Sequence, residues 1–169
     1  LYEPRGTAAV LGAAGKPGRD LKVAALEADG VPVLRRRGGG GAVVLAPGQV
    51  VLALVTEVAS PFGNREYARA VNAWFVEALA GLGVGGLEQR GITDLAIGGR
   101  KVLGTSIYRS RLVLFYQASL LVSNDVSLFG RYLSHPHAEP DYRQGRDHGT
   151  FCTTLRVEGC DLDPRRVIA

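Results

Sequence analysis

The first third of the chain alternates short apolar runs with turn residues, a pattern typical of short β-strands joined by loops. Three of these runs are predicted strands: residues 7–11, 31–34 and 42–45. Residues 49–58 form a longer run that is apolar at both sets of alternate positions. We therefore expect a strand in the middle of a covered sheet there. Asp20 is placed to cap a helix over residues 21–28.

A longer helix is predicted over residues 65–79, after the helix-breaking residues 61–64. Its apolar positions recur at helical spacing. They are Tyr67, Val71, Trp74, Ala78 and Leu79. On this pattern Trp74 belongs to the hydrophobic core.

The second half of the chain predicts a β-hairpin, a long strand and two short helices. The hairpin comprises residues 94–97, a Gly98-Gly99 turn and residues 101–108, and the next strand covers residues 111–123. The later elements are a helix over residues 125–133, an extended loop over 134–145, and a helix from its cap Asp147 to about residue 155. This order predicts an α+β (mixed α/β) fold: a single domain with a mixed, largely antiparallel sheet packed by helices.

Composition describes an ordinary globular chain of 169 residues, with 46% hydrophobic and 21% charged residues. Glycine is in excess, at 23 residues, and lies mostly in turns. Methionine is absent even at position 1, so we expect the N-terminus to be incomplete. No apolar run approaches the roughly 20 residues that span a bilayer, and no signal peptide is visible. Cytoplasm is therefore the default location, with no membrane partner.

The net charge of +4 and the sequence pI of about 9.3 indicate a surface that attracts anions. No basic helix is interleaved with aromatic residues, so the sequence does not favour nucleic acid as the partner. Cys152 and Cys160 are the only cysteines and form neither a disulfide framework nor a zinc pattern. His135, His137 and Asp141 fit no familiar zinc spacing either, so no protein-bound metal is expected.

The most distinctive stretch is a run of three arginines, residues 35–37, followed by four glycines, residues 38–41, which we call the glycine loop. Consecutive glycines let a ligand approach the backbone closely, and their N–H groups can form an anion site. Arginine adds planar, permanently charged donors that suit phosphate or carboxylate. The stretch therefore favours a loop that holds a phosphorylated or carboxylated small molecule. The alternative is a flexible surface loop beside a basic patch.

Three segments in order resemble lipoate–protein ligases. Residues 35–43 read Arg-Arg-Arg-Gly-Gly-Gly-Gly-Ala-Val and resemble the Arg-Arg-x-Ser-Gly-Gly-Gly-Ala-Val signature of that family. Asp94-Leu95 and residues 100–106, Arg-Lys-Val-Leu-Gly-Thr-Ser, resemble its Asp-Leu and Arg-Lys-Ile-x-Gly-Ser-Ala hairpin. Residues 115–121 lie where the family has His-His-Gly-Thr-Leu-Leu. Biotin ligases share the fold but usually carry Gly-Arg-Gly-Arg-x-Gly-Arg, so the arginine-then-glycine order favours the lipoate side.

The resemblance implies a catalytic domain of the biotin/lipoate ligase type over residues 1–169, without the C-terminal accessory domain. It implies that ATP, with Mg²⁺, activates lipoate or octanoate as an acyl-adenylate. A lysine of a lipoyl carrier domain or a glycine-cleavage H-type protein then displaces AMP. A separate accessory subunit is a further expected partner. Lys101 would be the catalytic cation. The implied acyl- and nucleotide-binding residues are Arg36, Arg37, Gly39, Gly40, Gly41, Ala42, Val43, Val44, Asp94, Gly104 and Ser106.

These residue types suit the chemistry independently of the family. Adenylation brings a carboxylate and a triphosphate together, and a fixed ammonium group can stabilise the charge that develops between them. Lys101 on a hairpin can also orient the two anions. Gly104 would leave room for a ligand or another backbone. The alternative role for Lys101 is an exposed hairpin lysine.

Departures from the family pattern leave two other functions open. Gly38 stands where serine is usual, Leu45-Ala46 where His-Asp is frequent, and Gln117-Ala118 where His-Gly occurs. These losses motivate a non-catalytic paralogue that binds an acyl or nucleotide ligand. Related octanoyltransferases use a cysteine nucleophile instead of ATP, and Cys152 or Cys160 would serve only outside the usual positions.

Overall fold

Two β-sheets carry the fold, and the computed structural model describes them with the rest of residues 1–169. The first sheet has three strands: β1 (Ala8–Leu11), β2 (Val33–Arg35) and β3 (Val43–Leu45). β1 lies in the middle, parallel to β2 and antiparallel to β3. This arrangement places the glycine loop, which joins β2 to β3, at one end of the small sheet.

The second sheet has five antiparallel strands: β4 (Gln49–Glu57), β5 (Leu87–Arg90), β6 (Asp94–Ile97), β7 (Arg100–Ser110) and β8 (Val113–Leu121). Their order across the sheet is β4-β8-β7-β6-β5. β6 and β7 form the predicted hairpin, and the turn between them uses Gly98 and Gly99, both with positive φ. β7 lies at the centre of the sheet.

Six α-helices cover the sheets: α1 (Pro17–Asp20), α2 (Val23–Ala28), α3 (Asn64–Gly81), α4 (Ser127–Tyr132), α5 (His148–Phe151) and α6 (Pro164–Ile168). A 3₁₀ turn spans Asp141–Arg143. α3 packs on the larger sheet around Val71, Leu103 and Tyr116. A second core joins the smaller sheet to α4 and α5 through Leu11, Phe129 and Phe151. None of these helices is long and apolar enough to cross a bilayer.

The α+β class is confirmed, with the strands divided between a mixed sheet and an antiparallel sheet. The expected position of the 49–58 strand is wrong, because β4 lies at a sheet edge. β8 pairs with it along its length, whereas on the other side Tyr2 pairs only with Val51. Its last three residues are exposed, and Val55 retains 66% of its accessible surface. β-Branched composition alone does not distinguish such an edge from a covered strand.

The expected burial of Trp74 is also wrong, because its side chain is 65% exposed. The buried stripe of α3 instead includes Ala68, Val71, Leu79 and the polar Asn72. The amide of Asn72 donates to the carbonyl oxygen of Thr93 at 2.8 Å and accepts from the Tyr116 hydroxyl at 2.5 Å. Val71 and Leu79 of the predicted face are thus buried, whereas Trp74 and Ala78 are exposed, and its hydrogen bonds make the polar Asn72 part of the core.

Of the two predicted helix caps, Asp147 is confirmed and Asp20 is wrong. Asp147 caps α5 as predicted and accepts from the Thr150 N–H at 2.7 Å, but the helix ends at Phe151. Asp20 does not cap α2, which begins after Lys22. Its carboxylate instead accepts from the Lys16 N–H across α1. β5, α1 and α6 were not predicted from the sequence.

Candidate functional site

Strand β7 carries the candidate catalytic residue Lys101. Ala96 pairs with Lys101 but Leu95 pairs with Leu103, so Val102 is an extra residue that forms a β-bulge. A bulge redirects the side chains beside it. Here the Lys101 side chain lies over Gly104, where an added Cβ would come within 2.9 Å of Lys101 Cε and 3.0 Å of its Nζ. The space beside Gly104 is therefore occupied by the end of the Lys101 side chain.

One carboxylate holds the Lys101 ammonium group. Lys101 Nζ lies 2.7 Å from Asp94 Oδ1, and the Tyr142 hydroxyl donates to Asp94 Oδ2 at 2.9 Å. Burial, and then the charge of Asp94, raise the pKa of Tyr142. The phenol therefore remains a hydrogen-bond donor at neutral pH. The Lys101 side chain is 26% exposed, so it is partly accessible from solvent.

The loop that supplies Tyr142 is fixed against the β6–β7 hairpin. Arg146 Nη2 donates to the carbonyl oxygens of Gly99 and Tyr142, at 3.0 and 2.6 Å. The rings of Tyr142 and Phe151 lie with their centroids 5.0 Å apart. Sequence reasoning assigned this segment only as an extended loop. Tyr142 is 48 residues from Asp94, and no local pattern connects the two.

The Arg36 side chain holds the glycine loop in shape. Its Nη2 donates to the carbonyl oxygens of Gly39 and Gly41 at 2.7 and 2.8 Å. Its Nε donates to Ser106 Oγ at 2.9 Å, and its Nη1 to the Val10 carbonyl oxygen at 3.3 Å. Burial lowers the pKa of Arg36. Because most N–H groups of its guanidinium donate to oxygens of the chain, Arg36 stabilises the backbone of the glycine loop.

The two neighbouring arginines have different surroundings. Arg35 Nη1 donates to the carbonyl oxygens of Gly12, Ala13 and Gly15, and so holds the loop after β1. Arg37 is exposed, and its guanidinium lies 5.8 Å from the centroid of the Tyr108 ring. Arg37 therefore differs from Arg35 and Arg36, whose guanidinium groups donate to oxygens of the chain.

Three consecutive amide groups in and after the glycine loop are unpaired. The N–H groups of Gly40, Gly41 and Ala42 donate no hydrogen bond within the chain. Gly40 has a φ of 90°, a conformation that favours glycine. Successive free amides with a left-handed residue among them are suited to bind an anion. The side chains of Val43 and Val44 are less available to a ligand, since Val43 is half-buried and Val44 lies in the second core at 2% exposure.

The glycine loop rests directly on β7. Gly39 donates its N–H to the Ile107 carbonyl oxygen at 3.3 Å, and Ser106 Oγ donates to the Gly39 carbonyl oxygen at 3.0 Å. Ser106 and Gly104 share a face of the strand because side chains alternate along it. Lys101, Gly104, Ser106 and the glycine loop therefore lie on one face of β7. A groove of about 170 Å³ reaches the glycine loop and Ser106 but not Lys101 or Gly104; it is lined by Gly39, Gly40, Asn64, Arg65, Ile92, Thr93, Thr105, Ser106 and Ile107.

A larger cavity, of about 430 Å³, contains none of the predicted site residues. It is lined by Lys22, Val126, Ser127, Gly130, Leu133, His135, Asp147, His148 and Gly149. Burial, aided by the charge of Arg143, lowers the pKa of His148 to about 4. His135 and His137 contact different carboxylates, those of Glu139 and Asp20. No group of three or more metal-binding side chains forms in the structure.

Cys152 lies beside Lys101, a contact that sequence spacing did not reveal. The two residues form a parallel β-bridge, and the Thr153 N–H donates to the Lys101 carbonyl oxygen at 2.9 Å. Cys152 is 9% exposed, and burial raises the pKa of its thiol despite the nearby charge of Lys101. Cys152 and Cys160 are both free thiols.

Comparison with known proteins gives one family and a consistent set of folds. The family model of the lipoyl protein ligase A/B catalytic domain matches residues 1–168. The bipartite lipoate protein ligase of Thermoplasma acidophilum, from a study that includes its E2 lipoyl domain, superposes with a TM-score of 0.82 at 18% identity. An ATP-bound lipoate-protein ligase A gives 0.81 at 18% identity, and lipoate-bound LipL1 of P. falciparum gives 0.76 at 15%.

These alignments cover 96% of the present chain but only 65%, 66% and 44% of the three relatives. The chain thus spans about two thirds or less of their length. At such low identity, the structural similarity establishes a common fold.

Proposed function

The chain belongs to the lipoyl protein ligase A/B catalytic-domain family, and we propose that it activates lipoate or octanoate with ATP and transfers the acyl group to a lysine of a lipoyl carrier domain. The observation that carries this proposal is the shared face of β7. There the glycine loop contacts the Ser106 side chain, and the Lys101 side chain lies over Gly104 on the same side of the strand.

In the proposed first step, a carboxylate oxygen of the acyl substrate attacks the α-phosphorus of ATP, and pyrophosphate leaves. Both reactants are anions, so cations and N–H donors are needed where they meet. Lys101 would contact the carboxylate and the α-phosphate, while the amides of Gly40, Gly41 and Ala42 would bind phosphate oxygens. Mg²⁺ would arrive with ATP as part of that substrate.

In the proposed second step, the neutral amine of the acceptor lysine attacks the acyl carbon, forms the amide and releases AMP and a proton. Relatives support the choice of reactants. One related structure is described as bound to ATP, one as bound to lipoic acid, and one study includes an E2 lipoyl domain. An H-type carrier protein and a separate accessory chain are further candidate partners.

Asp94 and Tyr142 would prepare Lys101 for this role. Their contacts hold the ammonium group at one position before substrate binds, which lowers the entropic cost of reaching the reactive geometry. Arg36 would act indirectly by fixing the carbonyl oxygens of the glycine loop, so that the loop amides point outward.

A mass-spectrometric acylation assay tests the proposal. A lipoyl domain and an H-type protein are incubated separately with the chain, lipoate or octanoate, ATP and Mg²⁺. We expect pyrophosphate release and an acceptor mass increased by one acyl group, both dependent on ATP. Absence of pyrophosphate release, together with no nucleotide-induced thermal shift, would contradict the proposal. Ligand binding without any transfer would favour the non-catalytic alternative.

A cysteine-dependent acyl transfer is the second candidate. The backbone β-bridge between Lys101 and Cys152 favours it, because it places this cysteine next to the candidate catalytic lysine. In that reaction the Cys152 thiolate would attack an acyl-carrier thioester, form an acyl-enzyme and release the carrier thiolate. The acceptor lysine amine would then attack the acyl-enzyme, form the amide and release the Cys152 thiol. The low exposure of the thiol and its raised pKa oppose this role. Intact-mass analysis after incubation with an octanoyl-carrier donor should therefore show no adduct, and a stable thioester would reverse the order of the two candidates.

A further inference from the structure

Gly38 and Ser106 compete for one small space between the glycine loop and β7. Gly38 is buried, and a Cβ built on it would lie 2.1 Å from Ser106 Oγ. The same Cβ would lie 3.2 Å from the Ile107 carbonyl oxygen and 3.3 Å from Ser106 Cβ, close contacts that shifts of a few tenths of an ångström would relieve. The space therefore holds the Ser106 hydroxyl or a side chain at position 38, and it cannot hold both.

The Ser106 hydroxyl is fully engaged in joining the two segments. Ser106 Oγ accepts from Arg36 Nε at 2.9 Å and donates its single proton to the Gly39 carbonyl oxygen at 3.0 Å. A hydroxyl has only one proton to give, so Ser106 does not donate to a ligand while this bond exists. This geometry argues against the direct binding role expected for Ser106 from sequence.

The hydrogen bond between Ser106 and Gly39 also sets the distance between the two parts of the candidate site, the Lys101 ammonium group and the free amides of the glycine loop. Lys101 and Gly104 precede Ser106 on β7, and the free amides of Gly40 and Gly41 follow Gly39 in the glycine loop. A shift of Gly39 relative to Ser106 would therefore move the amides relative to the Lys101 ammonium group. Small displacements of this kind are costly where two groups act on one substrate.

We propose that Ser106 is a positioning residue, and that Gly38 and Ser106 form a coupled pair that places a single hydroxyl between the glycine loop and β7. The effect of this pair on catalysis rests on the proposed function, whereas its effect on stability does not. Because this space holds only one of the two groups, the pair should be exchangeable as a unit.

A double-mutant cycle tests the coupling with Gly38→Ser, Ser106→Ala and the combined variant. Thermal unfolding and hydrogen exchange of the Gly39 amide, which donates to the Ile107 carbonyl oxygen, are measured first, because neither needs a substrate. Gly38→Ser should cause the largest loss of stability. Ser106→Ala should speed exchange of the Gly39 amide by about threefold or more. The combined variant should be more stable than Gly38→Ser alone, because the space is again singly occupied.

The kinetic arm uses ATP-dependent pyrophosphate release. Ser106→Ala should raise KM for ATP by about tenfold with a smaller effect on kcat, because the loop amides lose their fixed position. The combined variant should recover at least about fivefold in kcat/KM relative to Gly38→Ser. If the wild-type chain releases no pyrophosphate, the proposed function fails, and the stability and exchange data still decide the coupling.

Two substitutions outside the site serve as matched controls. A Cβ at Gly6 would meet nothing within 4 Å, and Ser110 is exposed at the end of β7, so Gly6→Ser and Ser110→Ala should behave like wild type. If Gly38→Ser does not fold, a folded combined variant supports the coupling and an unfolded one overturns it. Effects that simply add in the combined variant also overturn it.

Discussion

Arg36 and Lys101 are both cations at the candidate site, but their surroundings differ. Arg36 donates to four oxygens of the chain itself, including two carbonyl oxygens of the glycine loop. Lys101 is held by one carboxylate, that of Asp94. The arginine thus shapes a surface of free amides, while the lysine keeps a charge that can move from Asp94 to a substrate oxygen. The first region would bind the substrate and the second would act on it.

Removal of the mobile charge should give the largest effect. Lys101→Ala is expected to slow pyrophosphate release by about 10²–10³-fold, since one donor to developing charge is worth that much. The midpoint of thermal unfolding should change little, because Asp94 keeps its bond with Tyr142. Lys22→Ala, a substitution in the larger cavity, is the control. Equal activity in the two variants would remove Lys101 from the mechanism.

Arg36→Lys should damage binding and fold together. A lysine keeps the charge but loses the planar set of donors that reaches Ser106 and the carbonyl oxygens of Gly39 and Gly41. We expect KM for ATP to rise by about tenfold or more, and stability to fall by about 2 kcal/mol. Steady-state kinetics and chemical denaturation measure the two effects.

Arg69→Lys is the matched control for Arg36→Lys, because Arg69 is exposed on α3. A normal KM and normal stability in Arg36→Lys would show that the arginine does not shape the loop.

Gly104→Ala separates the role of Lys101 from that of Arg36, because it displaces the Lys101 side chain without removing its charge. The new methyl group would press on Lys101 Cε, the far end of a flexible side chain. We expect a fall in kcat of about tenfold with little change in KM for ATP, because the loop amides are untouched. Gly85→Ala is the control, since a Cβ there meets nothing within 4 Å. A larger change in KM than in kcat would contradict the division of roles.

Tyr142→Phe should give the smallest effect, about three- to tenfold in kcat, because it removes one hydrogen bond to Asp94. Since the folded-state pKa of Tyr142 is raised above its ordinary 10.0, its bond is present below about pH 10 and is lost only as the pH rises further. The ratio of wild-type to variant kcat should therefore stay constant from about pH 6 to 9.

Tyr2→Phe provides the comparison for Tyr142→Phe, because Tyr2 is half exposed and donates no hydrogen bond through its hydroxyl. If the ratio of wild-type kcat to Tyr142→Phe kcat changes steeply across neutral pH, another group controls Lys101.

Sequence reasoning identified the β6–β7 hairpin and the glycine loop because their signals are local. A Gly-Gly turn and adjacent arginines and glycines can be read from neighbouring positions. The role of Arg36 could not be read in this way, because it depends on where the carbonyl oxygens of Gly39 and Gly41 lie. The burial of Asn72 could not be read from neighbouring positions either, because it depends on hydrogen bonds to Thr93 and Tyr116, which are distant in the sequence.

The most direct test is a crystal structure of the chain with a non-hydrolysable lipoyl-adenylate analogue. We expect Lys101 Nζ within about 3.2 Å of an oxygen at the acyl–phosphate junction. The amides of Gly40 and Gly41 should lie at similar distances from oxygens of the same molecule. An analogue bound in the larger cavity beside Lys22 and His148, with Lys101 still paired only to Asp94, would contradict the account.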